Sequence, residues 1–266
     1  MKIDISLYQR IVILTGAGVS AASGLRTYRG PNGLWNDDDV QAYGHVDRLQ
    51  DDPQKIWRVF GPLREQILHA EPNTAHLFLA KLDANLQPSQ EFLLITQNVD
   101  GLHQQAGSRR VVELHGTIGR TRCANPDCIL PPYPDPDPHL ETVPYCSVCG
   151  SVLRPDIVLF GESLPVDASW QSKRALRDCD LFIAIGTSGT VSPAAQYVRS
   201  AEYAGARTVF VNLEAMTPPN PAFQELYLGA AEDVLPVLFD PNQKLRLLKM
   251  IDVSRNITVC NESKKI

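Results

Sequence analysis

The sequence predicts an α/β protein: a doubly wound parallel sheet with a smaller zinc-binding and helical domain attached. Three observations carry the prediction. Short apolar runs rich in β-branched residues end in glycines or polar clusters, helix-like stretches lie between these runs, and four of the six cysteines fall inside a 27-residue window.

The first run, Arg10 to Thr15, leads directly into Gly16-Ala17-Gly18-Val19-Ser20-Ala21. A continuous apolar run ending in glycines reads as a parallel strand buried on both faces. Phe92 to Thr96, Asp180 to Ile185 and Thr208 to Asn212 are runs of the same kind. They are followed by Gln97-Asn98-Val99-Asp100, Gly186-Thr187-Ser188-Gly189 and Leu213-Glu214. Helices are expected over 74–84, 168–178 and 193–204. Strands alternating with helices give a parallel sheet covered on both faces, with ligands at the carboxyl ends of its strands.

Two stretches break the alternation. Residues 37–70 show helix-like apolar spacing and no clear strand. Residues 122–152 hold the four cysteines and seven prolines between Pro126 and Pro144, which predicts a loop-rich insert with its own staple. After Phe239 a helix is expected over 242–251, then a frayed polar end.

Composition narrows the function classes. The chain has 266 residues, 44% of them hydrophobic, enough for a sizeable core. A net charge of −5 argues against a phosphate backbone as main partner, so direct nucleic-acid binding is not expected. No apolar run approaches the ~18–20 residues that cross a bilayer, and the first residues lack a secretion signal's apolar core. The expectation is a cytoplasmic protein without membrane contact.

Gly16-x-Gly18-x-x-Ala21 after a strand matches the dinucleotide-binding fingerprint, in which backbone amides approach a pyrophosphate; a tight turn without ligand shares the pattern. No second strand ending in an acidic residue follows ~20 positions on, which disfavours an ordinary NAD oxidoreductase. Cys123-x4-Cys128-x17-Cys146-x2-Cys149 can converge on one structural zinc, all four ligands being thiolates with no open position; disulfides or free thiols are the plainer alternative. Asn98 and Asp100 stand just past a strand end, either capping a helix or facing the reactive end of a cofactor. His115, just before the cysteine insert, has the near-neutral pKa that suits a general base, although most lone histidines are not catalysts.

Taken together, these motifs resemble the sirtuins from about Tyr8 to Phe239. The resemblance rests on Gly16 to Gly24, Thr27-Tyr28-Arg29-Gly30, Gly33-Leu34-Trp35, Thr96 to His103, Leu114-His115-Gly116 and the cysteine insert. Arg154-Pro155, Phe160-Gly161-Glu162, Gly186-Thr187-Ser188 and Asn212-Leu213-Glu214 continue the series in order. It implies an NAD-dependent protein lysine deacylase with a Rossmann-like NAD-binding domain (1–36, 72–121 and 153–240), a small helical and zinc-binding domain (37–71 and 122–152) and a tail (241–266).

The resemblance also implies roles. Gly16, Ala17, Gly18, Ser20, Thr27, Tyr28, Arg29 and Trp35 would form the phosphate turn and a flap over the nicotinamide ribose. Gln97, Asn98 and Asp100 would line the nicotinamide pocket, and Gly186, Thr187, Ser188, Asn212, Leu213, Glu214 and Ala231 would hold the adenosine half. NAD would be consumed. The acyl oxygen of an acylated lysine would attack C1′ as nicotinamide leaves, with His115 as base and Asn98 beside it, yielding lysine and an O-acyl-ADP-ribose. The segment Val158-Leu159-Phe160-Gly161-Glu162 would pair with the backbone of the protein substrate as a strand.

In zinc spacing and in the run Gly186 to Ala195 the chain is similar to the class III sirtuins, which remove succinyl and malonyl groups through a Tyr-x-x-Arg pair. The matching positions here are Phe60 and Leu63, which cannot pair with a carboxylate, so an apolar pocket for acetyl or longer aliphatic groups is expected. ADP-ribosyl transfer to protein, or plain NAD hydrolysis, is the alternative on the same scaffold.

Overall fold

The computed structural model describes residues 2–28, 33–239, 249–252 and 257–259. Strands are β1 (Arg10–Thr15), β2 (Glu91–Thr96), β3 (Val111–Glu113), β4 (Gly116–Cys123), β5 (Tyr133–Pro134), β6 (Leu153–Ile157), β7 (Leu181–Ile185), β8 (Arg207–Asn212), β9 (Glu225–Leu228), β10 (Lys249–Asp252) and β11 (Ile257–Val259). Helices are α1 (Asp38–Tyr43), α2 (Arg48–Asp51), α3 (Pro53–Leu68), α4 (Thr74–Ala84), α5 (Leu102–Gln105), α6 (Val166–Leu176), α7 (Tyr197–Tyr203) and α8 (Ala231–Phe239).

The main sheet has the order β11-β10-β9-β8-β7-β1-β2-β3, and the six strands from β9 to β3 are parallel. The chain fills one side of β1 first and then crosses to the other, so the direction of winding reverses between β1 and β7. A crevice opens at that reversal, beyond the carboxyl ends of the strands. The apolar runs of β1 and β7 are buried on both faces, as a parallel sheet between two helical layers requires. Val12, Leu14, Phe182 and Ala184 pack toward α6 and α7, whereas Ile11, Ile13, Leu181 and Ile183 pack toward α4 and α8.

The expected helix at 74–84 is present and is closed by a capping box at Asn73 and His76. The helix expected at 193–204 starts as a 3-10 turn, Ala194–Gln196, before α7. Correcting the tail expectation, 249–252 is strand β10, antiparallel to β9, and 242–248 lie outside the described residues. The reason is non-local: β9 offers a backbone edge, which local periodicity cannot reveal.

The cysteine insert is loop-rich, as its prolines predict, with β5 the one described strand between β4 and β6. A three-stranded antiparallel sheet, β5-β4-β6, runs from Gly116 to Ile157 and so crosses the boundaries expected at 121 and 153. Pro134 is accommodated because β5 is an edge strand. Arg64 of α3 holds the insert from beneath. Its fully buried guanidinium donates to the Asp137 and Arg120 carbonyls and to Thr121, and it pairs with Asp135 at 3.3 Å.

Candidate active site

The turn after β1 is a 3-10 helix, Ala17–Ser23, pressed against the end of β7. The Gly16 amide donates to the Ile185 carbonyl at 3.0 Å and the Gly18 amide to the Gly186 carbonyl at 2.8 Å. A Cβ at Gly16 or Gly18 would come within 2.8 Å of the Gly186 backbone, and Gly186 itself has φ +61°. Glycine is required here because two chain segments meet with no room for a side chain.

Asn98 is buried past the end of β2, its amide donating to the Gly16 carbonyl and to Ser20 Oγ, both at 3.1 Å. Asp100 accepts from Ser20 Oγ at 2.7 Å and from the Leu102 amide at 3.0 Å, so its carboxylate holds the first amide of α5 from one residue before the Gly101 cap while bracing the glycine turn. Gln97 Nε2 donates to Thr187 Oγ1 at 2.9 Å, tying β2 to the turn after β7. His115, between β3 and β4, places Nδ1 3.0 Å from the Gln97 carbonyl. A carbonyl only accepts, so Nδ1 carries the proton and Nε2 is the free lone pair. Burial pushes the His115 pKa below 6.5, partly offset by the bond to Gln97, and keeps the ring neutral at pH 7.

These groups border one cleft of about 1210 Å³, larger than the ~300–1,000 Å³ of a drug-sized site. Of the expected residues, Gly16, Ala17, Gly18, Thr27, Tyr28, Gln97, Asn98 and His115 line it. So do Gly186, Thr187, Ser188, Asn212, Leu213, Glu214 and Ala231 at the far end, and Phe60, Val158, Phe160, Gly161 and Glu162 along another edge. Ser20 and Asp100 stand behind the lining, joined to each other. Arg29 and the side chain of Trp35 lie outside the described residues. Leu63 does not line the cleft; it is half-buried in the apolar cluster around Ile56 and Trp57.

The sequence reading missed Val99 and Ile157 and gave Leu159 only as part of the backbone-pairing segment; all three join Phe60 in one buried cluster and line the cleft beside it. Val99 is marked in the sequence as an apolar residue between Asn98 and Asp100, whereas Ile157 sits in the apolar run 157–160 with no signal of its own. Backbone amides of Val158, Phe160 and Glu162 are engaged by the carbonyls of His115, Gly44 and Leu159, and that of Leu159 by the Glu162 carboxylate.

The four insert cysteines converge. Cys123 and Cys149 Sγ are 3.5 Å apart, Cys128 and Cys146 3.6 Å, and all four lie within 4.8 Å of one another. Four thiolates at the Zn–S distance of ~2.3 Å form a tetrahedron with edges of about 3.8 Å, so the group fits one zinc ion and is too wide for disulfides.

A family model described as "Sir2 family" matches residues 16–193. The chain belongs to the Sir2 family. An NAD-dependent protein deacylase of Aquifex aeolicus is 44% identical over 204 residues, covering 77% of this chain and 83% of that one. NAD-dependent protein deacylase 2 of Pyrobaculum aerophilum is 43% identical over 232 residues, covering 86% and 89%. Among solved structures, a Sir2 homologue–NAD complex aligns with a TM-score of 0.78 at 36% identity, covering 88% of this chain and 89% of that one. Within this sirtuin, the reversal point of the sheet, the glycine turn and the His115 pocket form one continuous cleft, and the cysteine cluster stands apart as a structural zinc site.

Proposed function

We propose that this NAD-dependent protein deacylase acts on lysines carrying acetyl or longer neutral aliphatic acyl groups, with His115 as general base. The carrying observation is the cleft wall made by Phe60, Val99, Ile157 and Leu159, a continuous apolar surface beside His115. A carboxylate against that wall would lose its hydration without gaining a partner. The neighbouring cations of α3 do not reach it: Arg64 is buried and paired with Asp135, and Arg58 is solvent-exposed.

NAD supplies a glycosidic bond at C1′ whose cleavage releases nicotinamide and leaves an ADP-ribosyl group for the acyl oxygen. The chain's own residues orient the reactants. The glycine turn and the loop after β7, which both line the cleft, suit the pyrophosphate. Asn98, held by Gly16 and Ser20, presents a fixed polar edge near the reacting sugar. His115 Nε2 takes up a proton from a sugar hydroxyl, and the Gln97 carbonyl stabilises the imidazolium through Nδ1–H. The edge from Val158 to Glu162 receives the substrate backbone through groups other than its engaged amides, so main-chain contact supplies little sequence discrimination.

Among the described residues no helix is long and apolar enough to cross a membrane. Four cysteines kept as metal ligands suit a reducing compartment, which supports a cytoplasmic location. The net charge of −5 supports protein substrates over nucleic acid as partners.

The test is incubation with NAD and a panel of acetyl-, butyryl-, long-chain- and succinyl-lysine peptides, following all products by mass spectrometry beside His115→Ala. Loss of neutral acyl groups with formation of O-acyl-ADP-ribose, abolished in the variant, is the expected result. Preferential removal of succinyl would overturn the acyl assignment. Nicotinamide release without deacylation would move the activity to ADP-ribosyl transfer or NAD hydrolysis.

A further inference from the structure

Lys173 stands one turn after Ser169 on α6, and both side chains line the cleft. Among the described lining residues it is the one lysine or arginine. The lining acids are Glu162, Glu214 and Glu232. Glu214 and Glu232 belong to the end beside Asn212 and Ala231, whereas Glu162 is neutralised by the two-pronged contact from Arg154. The Lys173 ammonium makes no ion pair among the described residues.

Its place in the chain matters as much as its charge. Helix α6 begins at Val166, directly after the edge Val158 to Leu164, so its exposed turns follow the segment assigned to the substrate backbone. Arg174, over the Trp170 ring at 5.3 Å, and Arg177, just past the helix end, are exposed cations outside the lining, with the exposed acids Asp167 and Asp178 on the same segment. On a chain of net charge −5, Lys173 is thus a single positive charge in the lining of the cleft. Such a placement selects among ligands more than it stabilises the fold.

We propose that Lys173 selects acyl-lysine segments carrying an acidic side chain close to the modified lysine. An extended backbone advances ~3.3 Å per residue, so a long, flexible lysine reaches an acid within about three residues of the acylated position. The inference rests on Val158 to Glu162 being the substrate edge, and adds to it a side-chain preference that main-chain pairing cannot supply.

Acetyl-lysine peptides differing only in Asp, Gln or Lys at each of the three positions on either side test it, with wild type, Lys173→Gln and Lys173→Glu. The readouts are kcat/KM and, separately, equilibrium peptide binding by fluorescence anisotropy. Wild type should favour Asp over Gln about two- to fivefold at one or two positions, less so as salt is raised. Lys173→Gln should abolish the ratio, and Lys173→Glu should turn it toward Lys. An unchanged ratio in both variants overturns the proposal. So does an equal loss with every peptide accompanied by a higher KM for NAD, which would assign Lys173 to the dinucleotide. Succinyl turnover that depends on Lys173 would assign it to the acyl group instead. If wild type deacylates none of the peptides, the deacylase reading fails, while the anisotropy ratio still decides the role of Lys173.

Discussion

Arg154 holds Glu162 by both arms of its guanidinium, Nη1 to Oε1 at 2.6 Å and Nη2 to Oε2 at 2.9 Å, where the zinc-bearing sheet runs into the lining of the cleft. Arg154 also donates to the Ile157 carbonyl, and Glu162 accepts the Leu159 amide. The pair therefore folds Ile157 to Glu162 into one fixed shape, and the ion pair with Arg154 holds the Glu162 carboxyl below its usual pKa against the opposing effect of burial. Glu162→Gln should lower stability by about 3 kcal/mol, because it leaves a buried guanidinium uncompensated. It should raise KM for peptide well beyond any change in KM for NAD; equal changes in both would show that the pair does not shape the peptide edge.

His115→Ala should reduce deacylation by about a hundredfold or more, the scale of a lost general base. Because burial holds the His115 pKa below 6.5, the neutral base persists at pH 6.5 and the acid limb of kcat/KM should fall below that value. A limb centred above 6.5 would contradict the assignment.

Stability should share that acid sensitivity through two other histidines. Burial depresses His76 to about 4 and His103 to about 3, while the unfolded chain titrates near 6.5. The unfolded state thus binds more protons, and the stabilisation is complete above 6.5 and lost as pH falls toward 4 and then 3. The urea midpoint should drop across that window, and His103→Gln should flatten part of the slope.

Phe60→Ala should remove apolar wall from the cleft and about 3 kcal/mol of stability, since the ring is buried in the cluster with Trp57 and Leu159. The ratio of long-chain to acetyl turnover should rise as the pocket deepens; an unchanged ratio would place the acyl chain elsewhere.

Zinc removal should reach the cleft through packing. Leu153 packs on Cys123 and Cys146, its carbonyl accepts from Trp57 Nε1 at 2.8 Å, and Arg154 is the next residue. Cys146→Ser should abolish the single bound zinc, shift Trp emission to the red and weaken peptide binding. The far-UV signal of the parallel sheet and its helices should largely remain. A variant that kept peptide affinity without metal would break this chain of contacts.

The sequence by itself determined the parallel strands, through buried β-branched runs at β1, β2, β7 and β8. It also determined the glycine turn at Gly16 and Gly18, the four metal-ligating cysteines, and the order of motifs from which the family was read. These are local: each is carried by residue types at short spacing. Tertiary structure alone decided that Asp100 joins Ser20 behind the lining, that Leu63 turns into the helical cluster, and that Val99, Ile157 and Leu159 join Phe60. It also decided that Arg64 is consumed by Asp135 and that 249–252 completes the sheet as β10. Each depends on which distant segment supplies the partner for a charge, an apolar face or a strand edge. Neither periodicity nor spacing contains that information.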